Sequence, residues 1–86
     1  MYRLKDNVSF ESMDEGGFLI NIESGKIFSV NGTATLILEG IKCGKSINHI
    51  IDQMFSVYNI DKEIIKSDVN KCVKLLLEYS HIEEIK

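Results

Sequence analysis

The chain has 86 residues, 44% of them apolar and 27% charged, with a net charge of −3. A body of this size buries only ~60–65% of the surface its unfolded form exposes, so one domain, residues 1–86, is expected around one small core with no deep catalytic cleft. Ordinary globular composition excludes a disordered chain, slight acidity without a basic block speaks against nucleic acid, and apolar runs such as Leu75 to Leu77 fall far below the ~18–20 residues of a membrane span.

The start, Met1 to Asp6, lacks the apolar stretch of a secretion signal. Two cysteines, Cys43 and Cys72, make no disulfide framework, and no Cys/His spacing matches a zinc site. A reducing, cytoplasmic location is expected, with no metal and no cofactor.

In chain order, Val8, Phe10 and Ser12 share one side of an extended stretch that Met13-Asp14-Glu15-Gly16-Gly17 interrupts. Phe18 to Ile22 forms a second strand, Glu23-Ser24-Gly25 a hairpin turn, and Lys26 to Val30 a third strand rich in β-branched and aromatic residues. The period then changes. Asn31 caps a helix carrying Ala34, Leu36, Ile37, Leu38 and Ile41, with Gly40 and Gly44 at its end. Ser46 caps a second helix with Ile47, Ile50, Ile51, Met54 and Phe55 at 3.6-residue spacing. After the Asn59-Ile60 connection, Asp61 opens a third and longer helix whose core stripe is Ile65, Val69, Cys72, Val73 and Leu76. Three antiparallel strands followed by three helices predict an α+β domain, and the second and third helices beside a small sheet have a winged-helix-like outline.

Sites of chemistry are hard to find in this pattern. Gly40 to Ser46 has three residues between its glycines where a phosphate-binding loop needs four, and it follows a helix, so a helix end joined to a serine N-cap accounts for it. His49 and His81 adjoin no Cys, Ser or carboxylate at a catalytic or ligand spacing. Cys72 falls in an apolar stripe, where a thiol behaves as a small hydrophobe. Asp14, Glu15, Glu23, Glu83 and Glu84 are scattered over turns and the tail, as solubilising charges are. No catalytic residue is assigned.

Two surfaces remain once the core is filled. The third strand ends the meander and has an open edge, Ile27-Phe28-Ser29-Val30, blunted only by Lys26. Ile64, Asp68, Lys71 and Leu75 form a mixed stripe on the third helix, displaced by about one position from the core stripe. An edge beside such a face makes a groove for an extended peptide, with main-chain bonds for affinity and side-chain pockets for choice. The same stripe can equally be a half-buried flank of the core.

Leu19 to Ala34, within it the Ser-Gly-x-x-x-x-x-Asn-x-x-Ala stretch at 24 to 34, then Ile37 to Ile41, Gly44-Lys45-Ser46 and Asp68-Val69, resemble PqqD-type proteins, also called RiPP recognition elements. The resemblance implies a domain that binds the leader segment of a ribosomally made precursor peptide antiparallel to the third strand beside the third helix. Carried to this chain, it selects Lys26, Ile27, Phe28, Ser29 and Val30 as the pairing edge and Asp68, Lys71, Cys72 and Leu75 as the cleft wall. It also implies delivery to a separate modifying enzyme, either a leader peptidase of the lasso-peptide type or a radical-SAM enzyme. Two other readings stay open: a winged-helix DNA-binding regulator, against which Asp61, Glu63 and Asp68 stand among the lysines of the third helix, and a purely structural subunit of a modifying enzyme. The open edge also allows a monomer or a weak homodimer.

Overall fold

The structure, a computed structural model, describes residues 1–85. β1 (Tyr2–Leu4) pairs antiparallel with β5 (Ile82–Glu84), while β2 (Val8–Met13), β3 (Gly16–Asn21) and β4 (Ile27–Val30) form an antiparallel meander in that order. α1 (Gly32–Lys42), α2 (Ile47–Val57) and α3 (Lys62–Glu78) follow the meander and precede β5. The fold is α+β, with the three-stranded sheet and three helices that the residue pattern predicts.

One apolar row registers the meander. Phe10 stands opposite Leu19, and Leu19 opposite Phe28. Phe10 and Leu19 keep 3% and 1% of their surface exposed. Because strand side chains alternate between faces, a one-residue slip would turn this row toward water, and burying Leu19 alone, worth roughly 1.5–3 kcal/mol, opposes the slip. Ile37, Leu38 and Ile41 of α1, Ile50, Ile51 and Met54 of α2, and Ile65, Val69, Val73 and Leu76 of α3 complete the core. α1 and α2 meet closely at Gly40, where a Cβ would lie 2.5 Å from Ile50 Cγ1.

Each helix starts where its capping residue predicts. Asn31 accepts from the Ala34 N–H, Ser46 from the His49 N–H and Asp61 from the Glu63 N–H. Each cap satisfies one of the orphan donors of a first turn. The Gly40 to Ser46 stretch is a helix end: the Gly44 N–H donates to the Ile41 carbonyl and the Lys45 N–H to the Gly40 carbonyl, while Gly44 supplies the left-handed φ of 76°. Its resemblance to a phosphate loop has no structural content.

Several expectations are corrected. Strands β1 and β5, at the two ends of the described chain, make a second sheet that no period-2 pattern announces, since each has three residues. Gly16 and Gly17 belong to β3, leaving only Asp14 and Glu15 as the turn, and Ser12 is exposed. Lys26 lies outside β4, with its carbonyl accepting from the Asn21 N–H. Phe55 is 48% exposed, because α2 presents Ile50, Ile51 and Met54 to the core and leaves the Phe55 ring beneath the Lys62 ammonium, 5.8 Å from its centroid. No helix among the described residues is long and apolar enough to cross a membrane.

Two left-handed positions test this account. Gly16 has φ 126°, and a Cβ on it would collide with the Val30 carbonyl oxygen, whereas Ser80 holds φ 60° with a side chain in place. Gly16→Ala should lower the unfolding free energy by about 2–4 kcal/mol through backbone strain and the clash. Ser80→Gly should raise it by about 0.5–1 kcal/mol by relieving the left-handed penalty. Urea unfolding midpoints check both, and a Gly16→Ala midpoint equal to that of the parent would refute the packing described.

Candidate peptide-binding groove

Among the described residues, β4 has β3 on one side and no strand on the other. The Asn21 N–H donates to the Lys26 carbonyl at 2.8 Å, which sets the phase of the ladder. Hydrogen-bonded pairs alternate in an antiparallel ladder, so Phe28 and Val30 turn their backbone groups to β3 while Ile27 and Ser29 turn theirs to the open side. Side chains alternate as well: Phe28 and Val30 point to the helix face, Ile27 and Ser29 to the outer face of the sheet. The strand itself carries neither proline nor charge to blunt the edge.

Between this edge and α3 runs a groove of about 580 Å³. Phe28, Ser29 and Val30 line one wall, and Asp68, Lys71, Cys72 and Leu75 line the other. The helical residues are three, four and seven positions after the first, which brings them onto one face of α3. Leu19 and Leu76 lie beneath, the start of α1 borders the groove beyond Val30, and His81 and Tyr79 border it beside Phe28. The lining is largely apolar; Asp68 and Lys71 are charged residues in it, and Asn31, Thr33, His81 and the free backbone positions of β4 are among its other polar groups.

The end of α3 explains how His81 arrives there. The Ser80 N–H donates to the Leu77 carbonyl and the His81 N–H to the Leu76 carbonyl, which closes the helix in the same way as at α1 but with serine at the left-handed position. The chain then turns back under the sheet, and the Lys5 N–H donates to the His81 carbonyl at 3.1 Å. The imidazole is buried, with 7% of the residue exposed, and meets the Phe28 ring edge to face at 4.8 Å between centroids; Tyr79 stacks on it at 6.1 Å. Burial lowers its pKa below the ordinary histidine value and so favours the neutral ring. Burial likewise pushes the Cys72 thiol above its ordinary range, so it is neither a ready nucleophile nor a thiolate ligand at neutral pH.

Of the residues singled out in the sequence, Phe28, Ser29, Val30, Asp68, Lys71, Cys72 and Leu75 are brought together around the groove. Lys26 sits in the turn before β4, Ile27 contributes outward backbone groups while its side chain faces away, and Ile64 lies one turn before Asp68 on α3 without lining the groove. Sequence reasoning passed over His81, Tyr79 and the start of α1. A pair of aromatic rings just past the last turn of a helix was the available signal, but their direction depends on the Ser80 conformation. Among the described residues, no three His, Cys, Asp or Glu side chains gather where a metal ion could be held.

The fold matches solved structures. A lasso peptide synthetase B1 complexed with its leader peptide is 25% identical, with a TM-score of 0.86 over 96% of this chain and 98% of that one. TbiB1 in complex with the TbiA(beta) leader peptide shares the fold at 19% identity, with a TM-score of 0.88 over 98% of each chain. No curated protein matches the sequence. The family model of coenzyme PQQ synthesis protein D (PqqD) matches residues 16–82, from the start of β3 to the first residue of β5. The chain therefore belongs to the PqqD family.

Proposed function

We propose that this protein captures the leader segment of a ribosomally made precursor peptide and presents it to a separate enzyme. The observation that carries this reading is the unblunted edge of β4, with the backbone groups of Ile27 and Ser29 turned outward beside an apolar groove. A leader that pairs antiparallel with β4 would place alternate side chains over Phe28 and the α3 wall, so hydrogen bonds supply affinity and the pockets supply choice. The two solved relatives hold leader peptides, and one is a lasso peptide synthetase component, which favours a leader peptidase of the lasso type over a radical-SAM enzyme as the partner.

The chain contributes no chemistry in this reading. No hydrogen bond joins His81 to Cys72 among the described residues, and burial disfavours the charged form of each. What it supplies is effective concentration: a held leader meets the partner enzyme as though tethered to it. The two free thiols, Cys43 and Cys72, suit a reducing cytoplasm.

Fluorescence anisotropy with the labelled leader of a lasso-type precursor peptide provides the test. Ser29→Pro removes an outward N–H from an edge strand and leaves the β3 ladder intact, and it should weaken binding at least about tenfold. Leu75→Asp puts a carboxylate into the apolar wall and should weaken it about a hundredfold. Both residues are exposed, so thermal melts should match the parent. Wild-type affinity in either folded variant would refute the groove as the binding site.

Alkylation should report the same footprint. Cys43 is exposed and should react quickly in every sample, whereas Cys72 should react slowly alone and not at all under saturating leader. Equal Cys72 labelling with and without leader would place the peptide elsewhere.

His81 makes capture pH-dependent. Covering the groove desolvates the imidazole further, so a protonated His81 must lose its proton for the leader to bind. Affinity should be highest above the ordinary histidine value of about 6.5 and fall as pH drops through the lowered folded value. His81→Phe should flatten the profile between about pH 5 and 7.5. An unchanged slope in that variant would assign the effect to another group.

A further inference from the structure

A second hollow, of about 390 Å³, opens on the outer face of the meander, and Met13, Asp14, Glu15, Phe18, Ser29 and Val30 are among its lining residues. Ser29 and Val30 also line the leader groove, so the hollow continues that groove around the edge of β4. Its floor is open at Gly16, the first residue of β3, where a Cβ would project at the Val30 carbonyl. Met13, 61% exposed, and Phe18 supply an apolar wall, while the Asp14 and Glu15 carboxylates stand at its mouth. Neither carboxylate has an ion-pair partner among the described residues, and Glu11, opposite Phe18 on the same face, adds a third negative charge nearby.

We infer that this hollow is a subsite for one lysine or arginine of the bound leader, just before the segment that pairs with β4. The inference rests on strand addition to β4 as described above. A strand antiparallel to β4 enters at the Val30 end and leaves at the Ile27 end, so the residues preceding the paired segment reach the Asp14-Glu15 turn first. Side chains on that strand alternate between the helix face and the outer face. One of them faces Met13 and Phe18 on the outside. Apolar walls leading to unpaired carboxylates suit a long aliphatic stem with a cationic head, which lysine and arginine provide and which a shorter or neutral side chain does not. Lys26 precedes β4 at the opposite end and Lys71 stands across the groove on α3, while the Asp14 and Glu15 carboxylates are gathered at the entry. A basic residue at the leading end therefore favours one direction of strand addition over the other.

A double-mutant cycle by anisotropy at low and moderate salt tests this. The probes are the labelled leader that the anisotropy test above shows to bind and the same peptide with each Lys or Arg preceding the paired segment changed to Gln. The protein variant is Asp14→Asn with Glu15→Gln. The native leader should bind this variant about two- to fivefold more weakly than the parent, the gap narrowing with salt, as expected of exposed ion pairs. The Gln leader should bind parent and variant alike. A leader with no basic residue there, equal binding of the native leader to both proteins, or an equal loss for both leaders would overturn the subsite. Failure of the Gln leader to bind the parent at high concentration would instead count against strand addition at β4, which separates the two outcomes.

Discussion

The row Phe10–Leu19–Phe28 across the meander is the constraint on which the other elements depend. Phe10 and Leu19 are buried in the core, and Phe28, on the open edge, is 36% exposed at the rim of the groove. Leu19 serves both sides, since it is almost fully buried and still lies beneath the groove. α1 packs on β3, whereas α3 packs on α2 and β5. The space between β4 and α3 is thus left by the packing of a small core, which has too few apolar residues to close over the last strand.

That incomplete closure gives the site its chemistry. A hydrophobic trough with two outward backbone positions suits an extended chain through bonds that every peptide can make, so selectivity would come from the few features along its length: Phe28 and the buried imidazole of His81, the separate charges of Asp68 and Lys71, and the shape of the Leu75 wall. Burial biases His81 toward the neutral form and Cys72 toward the thiol, so the groove wall stays uncharged at both residues near neutral pH.

The small sheet of β1 and β5 holds the groove from behind. The Ile85 N–H donates to the Met1 carbonyl at 2.7 Å, and the Lys5 N–H to the His81 carbonyl, so the strand after α3 is tied at both ends. Arg3 reaches Glu83 across the pair at 3.4 Å, but both groups are exposed enough that water screens most of the attraction. Main-chain pairing and the burial of Ile82, 1% exposed, hold β5 in place and with it the left-handed Ser80 that aims His81. A residue in a costly conformation persists because its surroundings over-determine it.

Much of this was legible in the residues. Capping side chains announce themselves locally, so Asn31, Ser46 and Asp61 start their helices where their chemistry says. Helical spacing on α3 likewise placed Asp68, Lys71 and Leu75 on one face, and the order of the strands made β4 the edge. Short β1 and β5 were not legible, because three-residue strands carry no measurable period and their pairing joins residues about 80 positions apart. Nor were the outward turn of Phe55, the arrival of His81 in the groove, or the hollow beside Asp14 and Glu15. Sequence by itself determined which segments are helix or hairpin and which face of each is apolar, since those depend on neighbours a few residues away. Only the tertiary structure decided how far α3 stands from β4 and which side chains meet in the gap, since that distance is set by packing between elements remote in the chain.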